Sequence, residues 1–168
     1  ALGWSTYAGD QISMYNVNAS VPKTLIRYLI AHIISSKAMG EDICDTLQDI
    51  LDTPVSPELL PAKNDNITQK TEDIVGPYEL HDFFLYYFVR FGYSKEKIVF
   101  LAQMAFGESY TEQTIKKWLD IFAKRFVTQH FKRVAAPDAP KVGSVSLSSE
   151  LDARYPSDAS ISWLKDMQ

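Results

Sequence analysis

The sequence predicts a mainly helical chain, and three observations carry that prediction. Apolar residues recur at three- and four-residue spacing in successive blocks. Residues suited to capping stand just ahead of several of those blocks. No stretch makes a convincing sheet, and neither an internal repeat nor a low-complexity tract is visible. Taken in order, Leu25, Ile26, Leu29, Ile30, Ile33 and Ile34 predict an amphipathic helix over Ser20–Ser36. Pro22 suits its first turn, where an N–H would be unpaired in any case. Ile43, Leu47, Ile50 and Leu51 predict a second, shorter helix after Gly40. From Thr53 to Pro77 the pattern breaks at Pro54, Pro57, Pro61 and Pro77, and a loop over about 62–77 is expected to be a mobile or ligand-covering segment.

Helical spacing returns with Leu80, Phe83, Phe84, Tyr87, Phe88 and Phe91, ended by Gly92. Ser94 is placed to cap a helix carrying Ile98, Leu101, Ala102 and Ala105 inward, and Thr111 to cap the longest one. The apolar face of that longest helix is Ile115, Trp118, Leu119, Phe122 and Phe126. After Arg133 the chain turns extended around Pro137 and Pro140, and Val142–Leu147 is open between strand and loop. Ser157-Asp158 predicts the start of a last short helix through Trp163 and Leu164.

Length and composition set the bounds. A chain of 168 residues is one domain's worth, enough to bury roughly 70% of the surface its unfolded form exposes. With 46% apolar and 23% charged residues it has the make-up of an ordinary globular protein. A net charge of −4 argues against general nucleic-acid affinity but leaves room for a local basic site. Cys44 is the only cysteine, which excludes an internal disulfide and leaves no cysteine-based metal site visible. No window approaches the roughly 20 apolar residues that a membrane-crossing helix needs. The chain starts at Ala1 without an initiator methionine or a leader, so a cytoplasmic protein, and a piece of a longer one, is expected.

Trp4–Leu25 spends hydrogen-bonding side chains where a core would spend apolar ones. Ser5, Thr6, Gln11, Ser13, Asn16, Asn18 and Ser20 surround a Gly9-Asp10 turn pair, and the block leads into a helix with Lys23 in its first turn. Backbone N–H groups at a helix start favour an anion, and the lysine adds a point charge; an ordinary solvated loop is the alternative. Phe131-Lys132-Arg133 stands where the longest helix ends. Cations there complement the helix dipole, or they form a clamp that neutralises a phosphate or carboxylate. Lys116, Lys117, Lys124 and Arg125 extend the basic character, but Asp120 interrupts them and an RNA-binding stripe is disfavoured. The aromatic run over 82–91 has helical period and is assigned to the core. His32, His81 and His130 share no metal-ligand spacing, and Asp45, Asp49 and Asp52 fit a solvated face better than a magnesium site. Ser56, in the proline-fixed turn Val55-Ser-Pro-Glu-Leu59, is by itself a weak signal.

In order along nearly the whole chain, Leu2-Gly-Trp-Ser-Thr-Tyr7, Gly9-Asp-Gln11, Tyr15-Asn-Val-Asn18, Val21-Pro-Lys-Thr-Leu25, Ser56-Pro-Glu-Leu-Leu-Pro61, Gly76-Pro-Tyr78, Phe131-Lys-Arg133 and Pro156-Ser-Asp158 resemble the glutamine-dependent NAD synthetases. The likeness is to the C-terminal part of their synthetase (ammonia-ligase) domain. It implies a mainly α fragment of an α/β nucleotide-binding domain, of the adenine nucleotide alpha hydrolase-like kind. The implied reaction amidates deamido-NAD: ATP adenylates the nicotinate carboxylate, and ammonia, released from glutamine by a glutaminase domain of the same parent chain, displaces AMP. The resemblance implies ATP contacts from Lys23 and Ser56, with Thr6 beside them, and deamido-NAD contacts from Trp4 and Lys132, with Phe131 and Arg133 flanking.

The ammonia-only synthetases carry lysine, aspartate and histidine where this chain has Tyr7, Met14 and Phe131, so those substrate contacts do not transfer automatically. The family's Ser-Gly-Gly-x-Asp-Ser pyrophosphate loop and its acidic magnesium ligands are not among these residues, and no catalytic or metal-binding residue is assigned here. ATP and Mg²⁺ are thus expected in the full-length enzyme, this piece alone is expected to be inert, and a homo-oligomer is expected. Neither nucleic acid nor membrane is an expected partner. A stand-alone helical interaction module is the alternative.

Overall fold

The computed structural model describes residues 1–9, 13–53 and 71–161. Among them the regular structure is helical throughout, with no strand: α1 Lys23–Ser36, α2 Glu41–Asp52, α3 Thr71–Val75, α4 Tyr78–Leu85, α5 Lys95–Phe106, α6 Glu112–Thr128 and α7 His130–Val134. A π-helical turn, Tyr86–Arg90, continues α4. The chain divides into two compact units, Ala1–Val21 with Glu79–Gln168, and Pro22–Tyr78.

In the second unit, α1 packs on α2. The first helix starts at Lys23 rather than Ser20, because Pro22 has an extended backbone (φ −65°, ψ 151°) and occupies the N-cap position instead of the first turn. Lys37 closes α1 in the left-handed conformation, its N–H bonded to the Ile34 carbonyl at 3.1 Å. Gly40, at φ 93°, then allows the reversal into α2, a conformation that a side chain would strain. Neither helix has a fully buried residue, and Leu25, Tyr28, Leu29, Ile43 and Ile50 are exposed. The short α3 falls within the end of the expected irregular stretch; most of that stretch, with Ser56 and residues 63–70, lies outside the described residues.

The larger unit is built on α4, α5 and α6. Both predicted caps are present: Ser94 Oγ accepts from Lys97 N at 3.4 Å, and Thr111 Oγ1 from Thr114 N at 3.2 Å. Leu80, Phe84, Ile98, Ala102, Ile115, Leu119, Phe122 and Phe126 are buried. Phe122 sits at the hub, with ring centroids 6.1 Å from His81, 5.9 Å from Phe84, 6.0 Å from Phe88 and 5.5 Å from Phe126.

The aromatic run is only partly core. A π-helical turn takes up one extra residue and so rotates the side chains beyond it about the helix axis. Beyond Phe88 the stripe therefore emerges, leaving Phe91 exposed in a surface cluster with Tyr86, Tyr87 and Tyr93. Beyond α7, Val142–Leu147 forms bends and loop, and Ser157-Asp158 forms a turn closed by Ala159 N to Pro156 O at 3.2 Å. No helix runs through 157–161; Trp163 and Leu164 lie outside the described residues.

Candidate functional site

The opening segment of the larger unit is held by cations projecting from α6 and α7. Lys132 Nζ donates to the carbonyls of Gly3 (2.8 Å) and Ser5 (2.7 Å). Arg125 Nε donates to Leu2 O at 3.0 Å, and Arg133 Nη1 to Ala1 O at 2.7 Å. Four carbonyls of an irregular segment, which would otherwise need water, are satisfied by charged donors. The arrangement depends on Gly3: at φ +60° its backbone passes so close to the α6–α7 junction that a Cβ would lie 2.4 Å from Gln129 Cβ.

These tethers set the side chains of the segment. Trp4, between the two carbonyls that Lys132 holds, is 43% exposed, with the Arg125 guanidinium 5.1 Å from its ring centroid. A flat aromatic face supported from one side and open on the other can take a second flat ring. Tyr7 packs against Phe131 at 5.6 Å, and Lys132 Nζ lies 5.9 Å from the Phe131 ring centroid. Two of the three Nζ donors are engaged by carbonyls, so one N–H and the full charge remain beside Trp4. Downstream, Asn16 N bonds Asp138 O at 2.9 Å, while Ser20 Oγ accepts from Val142 N at 2.7 Å and donates to Pro140 O at 3.1 Å. Ser20 therefore serves the backbone, fixing the polar block to the segment after α7.

The fold separates the expected site residues into groups. Trp4, Phe131 and Lys132 come together, and Thr6 is on the same segment, its carbonyl accepting from Gly9 N at 3.3 Å. Arg133 faces inward and is buried. Its Nε donates to His130 Nδ1 at 3.2 Å, its Nη2 to Phe126 O, and its guanidinium lies 4.3 Å from the Phe126 ring centroid. Lys23 belongs to the other unit, at the first position of α1, with Nζ 5.3 Å from the Tyr78 ring centroid. Ser56 lies outside the described residues. Among the described residues no cluster of His, Cys, Asp or Glu is arranged to hold a metal ion, and no helix is long and apolar enough to cross a membrane.

Gly3 and the tethering role of Arg125 escape a reading of the sequence. One signal is available for the arginine: it stands seven residues before Lys132, the spacing of two turns in an unbroken helix.

Burial of the Arg133 guanidinium pulls its pKa down to about 10. His130 is held below the usual histidine range by burial and by the neighbouring Arg133 charge, and the Tyr155 backbone offsets only part of this. A base whose folded pKa is depressed binds fewer protons than the unfolded chain, so acidification through the ordinary histidine range destabilises the fold. Between pH 7.5 and pH 5 the urea midpoint of the native chain is expected to fall, and His130→Gln to flatten that fall. Equal pH dependence in both chains would remove His130 as its source.

No family model matches the chain. Among curated proteins it is similar to the glutamine-dependent NAD(+) synthetases of Mycobacterium bovis and Mycobacterium tuberculosis, 44% identical over 95% of this chain and 26% of each relative. The glutamine-dependent NAD(+) synthetase of Mycobacterium leprae is 41% identical over 99% of this chain and 28% of its own length. The chain is thus a homologue of the glutamine-dependent NAD synthetases. It spans only about a quarter of the length of the curated relatives it matches.

Proposed function

We propose that this chain is the C-terminal part of the synthetase domain of a glutamine-dependent NAD synthetase. The 44% identity over 95% of its length carries this reading. The whole enzyme would amidate deamido-NAD in two steps. The nicotinate carboxylate attacks the α-phosphorus of ATP and expels pyrophosphate; ammonia drawn from glutamine in the parent's glutaminase domain then attacks the acyl carbon and expels AMP.

In this reading Trp4, braced by Arg125, offers its open face to a ring of deamido-NAD, and Lys132 sets its charge against the carboxylate or pyrophosphate, with Phe131 beside it. Arg133 positions the segment through Ala1 O instead of touching substrate. Lys23 and Ser56, with Thr6, are assigned to ATP. Magnesium, when bound, would offset charge on the triphosphate, and its ligands are assigned to the parent's nucleotide-binding α/β sheet. The segment over about 62–77, whose end carries α3, is assigned as one that orders over bound nucleotide, and the parent as a cytoplasmic homo-oligomer.

The test is NAD formation. The full-length protein encoded by the continuous reading frame, given ATP, deamido-NAD and glutamine or ammonia, is expected to release NAD, AMP and pyrophosphate, and residues 1–168 alone to release none. A full-length protein that makes no NAD overturns the assignment; turnover by the 168-residue chain overturns its dependence on the rest of the enzyme.

The exposed apolar residues of α1 and α2 favour one second reading, a stand-alone interaction module. It requires a native start near Ala1 and no upstream pyrophosphate-gripping loop.

A further inference from the structure

Behind α7, on the side of the larger unit built from the π-helical turn, the end of α6 and the segment around Tyr155, is a hollow of about 260 Å³. Its walls are apolar and aromatic, with Phe88, Phe126, Tyr155 and Ala159 among them, and its polar lining comes from His130 and Arg133. Tyr155 stands edge-on to Phe126 (5.7 Å between centroids) and to His130 (5.8 Å).

Two features of the polar lining are unexplained by the fold. Arg133 is 7% exposed, yet no carboxylate lies within ion-pair distance of it among the described residues; its partners are two carbonyls and an imidazole nitrogen. Buried cations are ordinarily paired, because solvation lost on burial has to be replaced. A guanidinium has five N–H donors, of which three are engaged here, leaving two. His130 is 1% exposed, and its Nδ1 accepts from Arg133, so the ring proton of the neutral imidazole is on Nε2. That Nε2 has only the Tyr155 backbone near it, outside ordinary hydrogen-bond geometry, although a buried N–H normally finds a well-placed acceptor. Uncompensated positive charge and spare donors thus meet at one end of an aromatic-walled hollow.

We propose that this hollow is a binding site for a small aromatic monocarboxylate, its ring between Phe126, Phe88 and Tyr155 and its carboxylate accepting from His130 Nε2 and the spare N–H groups of Arg133. The size fits a single ring, since drug-sized sites run to about 300–1,000 Å³. A dinucleotide is too large. The carboxylate would supply the counter-charge that Arg133 lacks and a better-placed acceptor for His130 than the Tyr155 backbone. The inference does not rest on the NAD synthetase reading: the hollow is lined by none of the residues assigned there to direct substrate contact.

The test is ligand-observed ¹⁹F NMR of 4-fluorobenzoate with the full-length protein that carries this chain. Saturable binding is expected, and it should persist with deamido-NAD at saturation and in Trp4→Ala. Ala159→Phe fills the hollow without removing either donor and should weaken binding at least tenfold; His130→Phe, which keeps a ring but removes Nε2–H, should do likewise. 4-Fluorobenzamide, of the same shape but uncharged, should bind at least tenfold more weakly than the acid. Displacement by deamido-NAD would place the probe in the substrate site and overturn the proposal. So would binding unchanged in Ala159→Phe, equal affinity for acid and amide, or no binding at all. Because these readouts are independent of turnover, they separate failure of this site from failure of the enzymatic assignment.

Discussion

Lys132→Ala is expected to raise the deamido-NAD dissociation constant of the full-length protein at least tenfold while moving its melting temperature little. A tenfold change is about 1.4 kcal/mol, less than one desolvated charge-assisted hydrogen bond can contribute. The side chain holds Gly3 O and Ser5 O on either side of Trp4, so its loss removes both a cation and the support of the ring. The two contributions separate in a double-mutant cycle. If Lys132 acts only by placing Trp4, Lys132→Ala has no further effect in a Trp4→Ala background; if it also meets substrate charge, a residual loss remains. An unchanged affinity in Lys132→Ala would remove this lysine from the site.

Phe122→Ala is expected to produce the largest loss of stability of any single change in the chain, about 3–5 kcal/mol. Phe122 is fully buried, and the rings of His81, Phe84, Phe88 and Phe126 surround it. Truncation would open a cavity among side chains that are themselves fixed by one another, so the site has little freedom to collapse. Against a typical total of about 5–15 kcal/mol, that loss would leave a marginal fold. Phe100→Ala is the control: Phe100 is 60% exposed, and its truncation should cost no more than about 0.5 kcal/mol. Equal urea midpoints for the two variants would show that α6 is not the centre of the core.

Some of the site is legible as chemistry before it is legible as geometry. Trp4, Lys132 and Phe131 are residue types that suit a charged, ring-bearing ligand, and they come together in the larger unit. Lys23 suits such a ligand for the same reason but belongs to the other unit. Spacing does not disclose that Lys132 spends two of its donors on backbone carbonyls more than a hundred residues away in the chain. The inward turn of Arg133 is equally hidden. Adjacent cations look alike in a sequence, and since neighbouring positions on a helix point about 100° apart, which of the two meets the core depends on how α7 packs.

The helices themselves were determined locally. The Ser94 and Thr111 caps and the apolar face of α6 come from side chains bonding or packing within a few residues of themselves, and such interactions are written in order along the chain. Tertiary structure decided three things that local rules leave open. It turned the end of the aromatic run out of the core at the π-helical turn while keeping Phe88 packed on Phe122 and Phe126, a change of register that ideal helical spacing does not announce. It set Gly3 against Gln129, a close approach that depends on where two distant segments meet. It also left Arg133 and His130 facing a hollow with charge and donors unspent, a property of the packed interior that no residue spacing encodes.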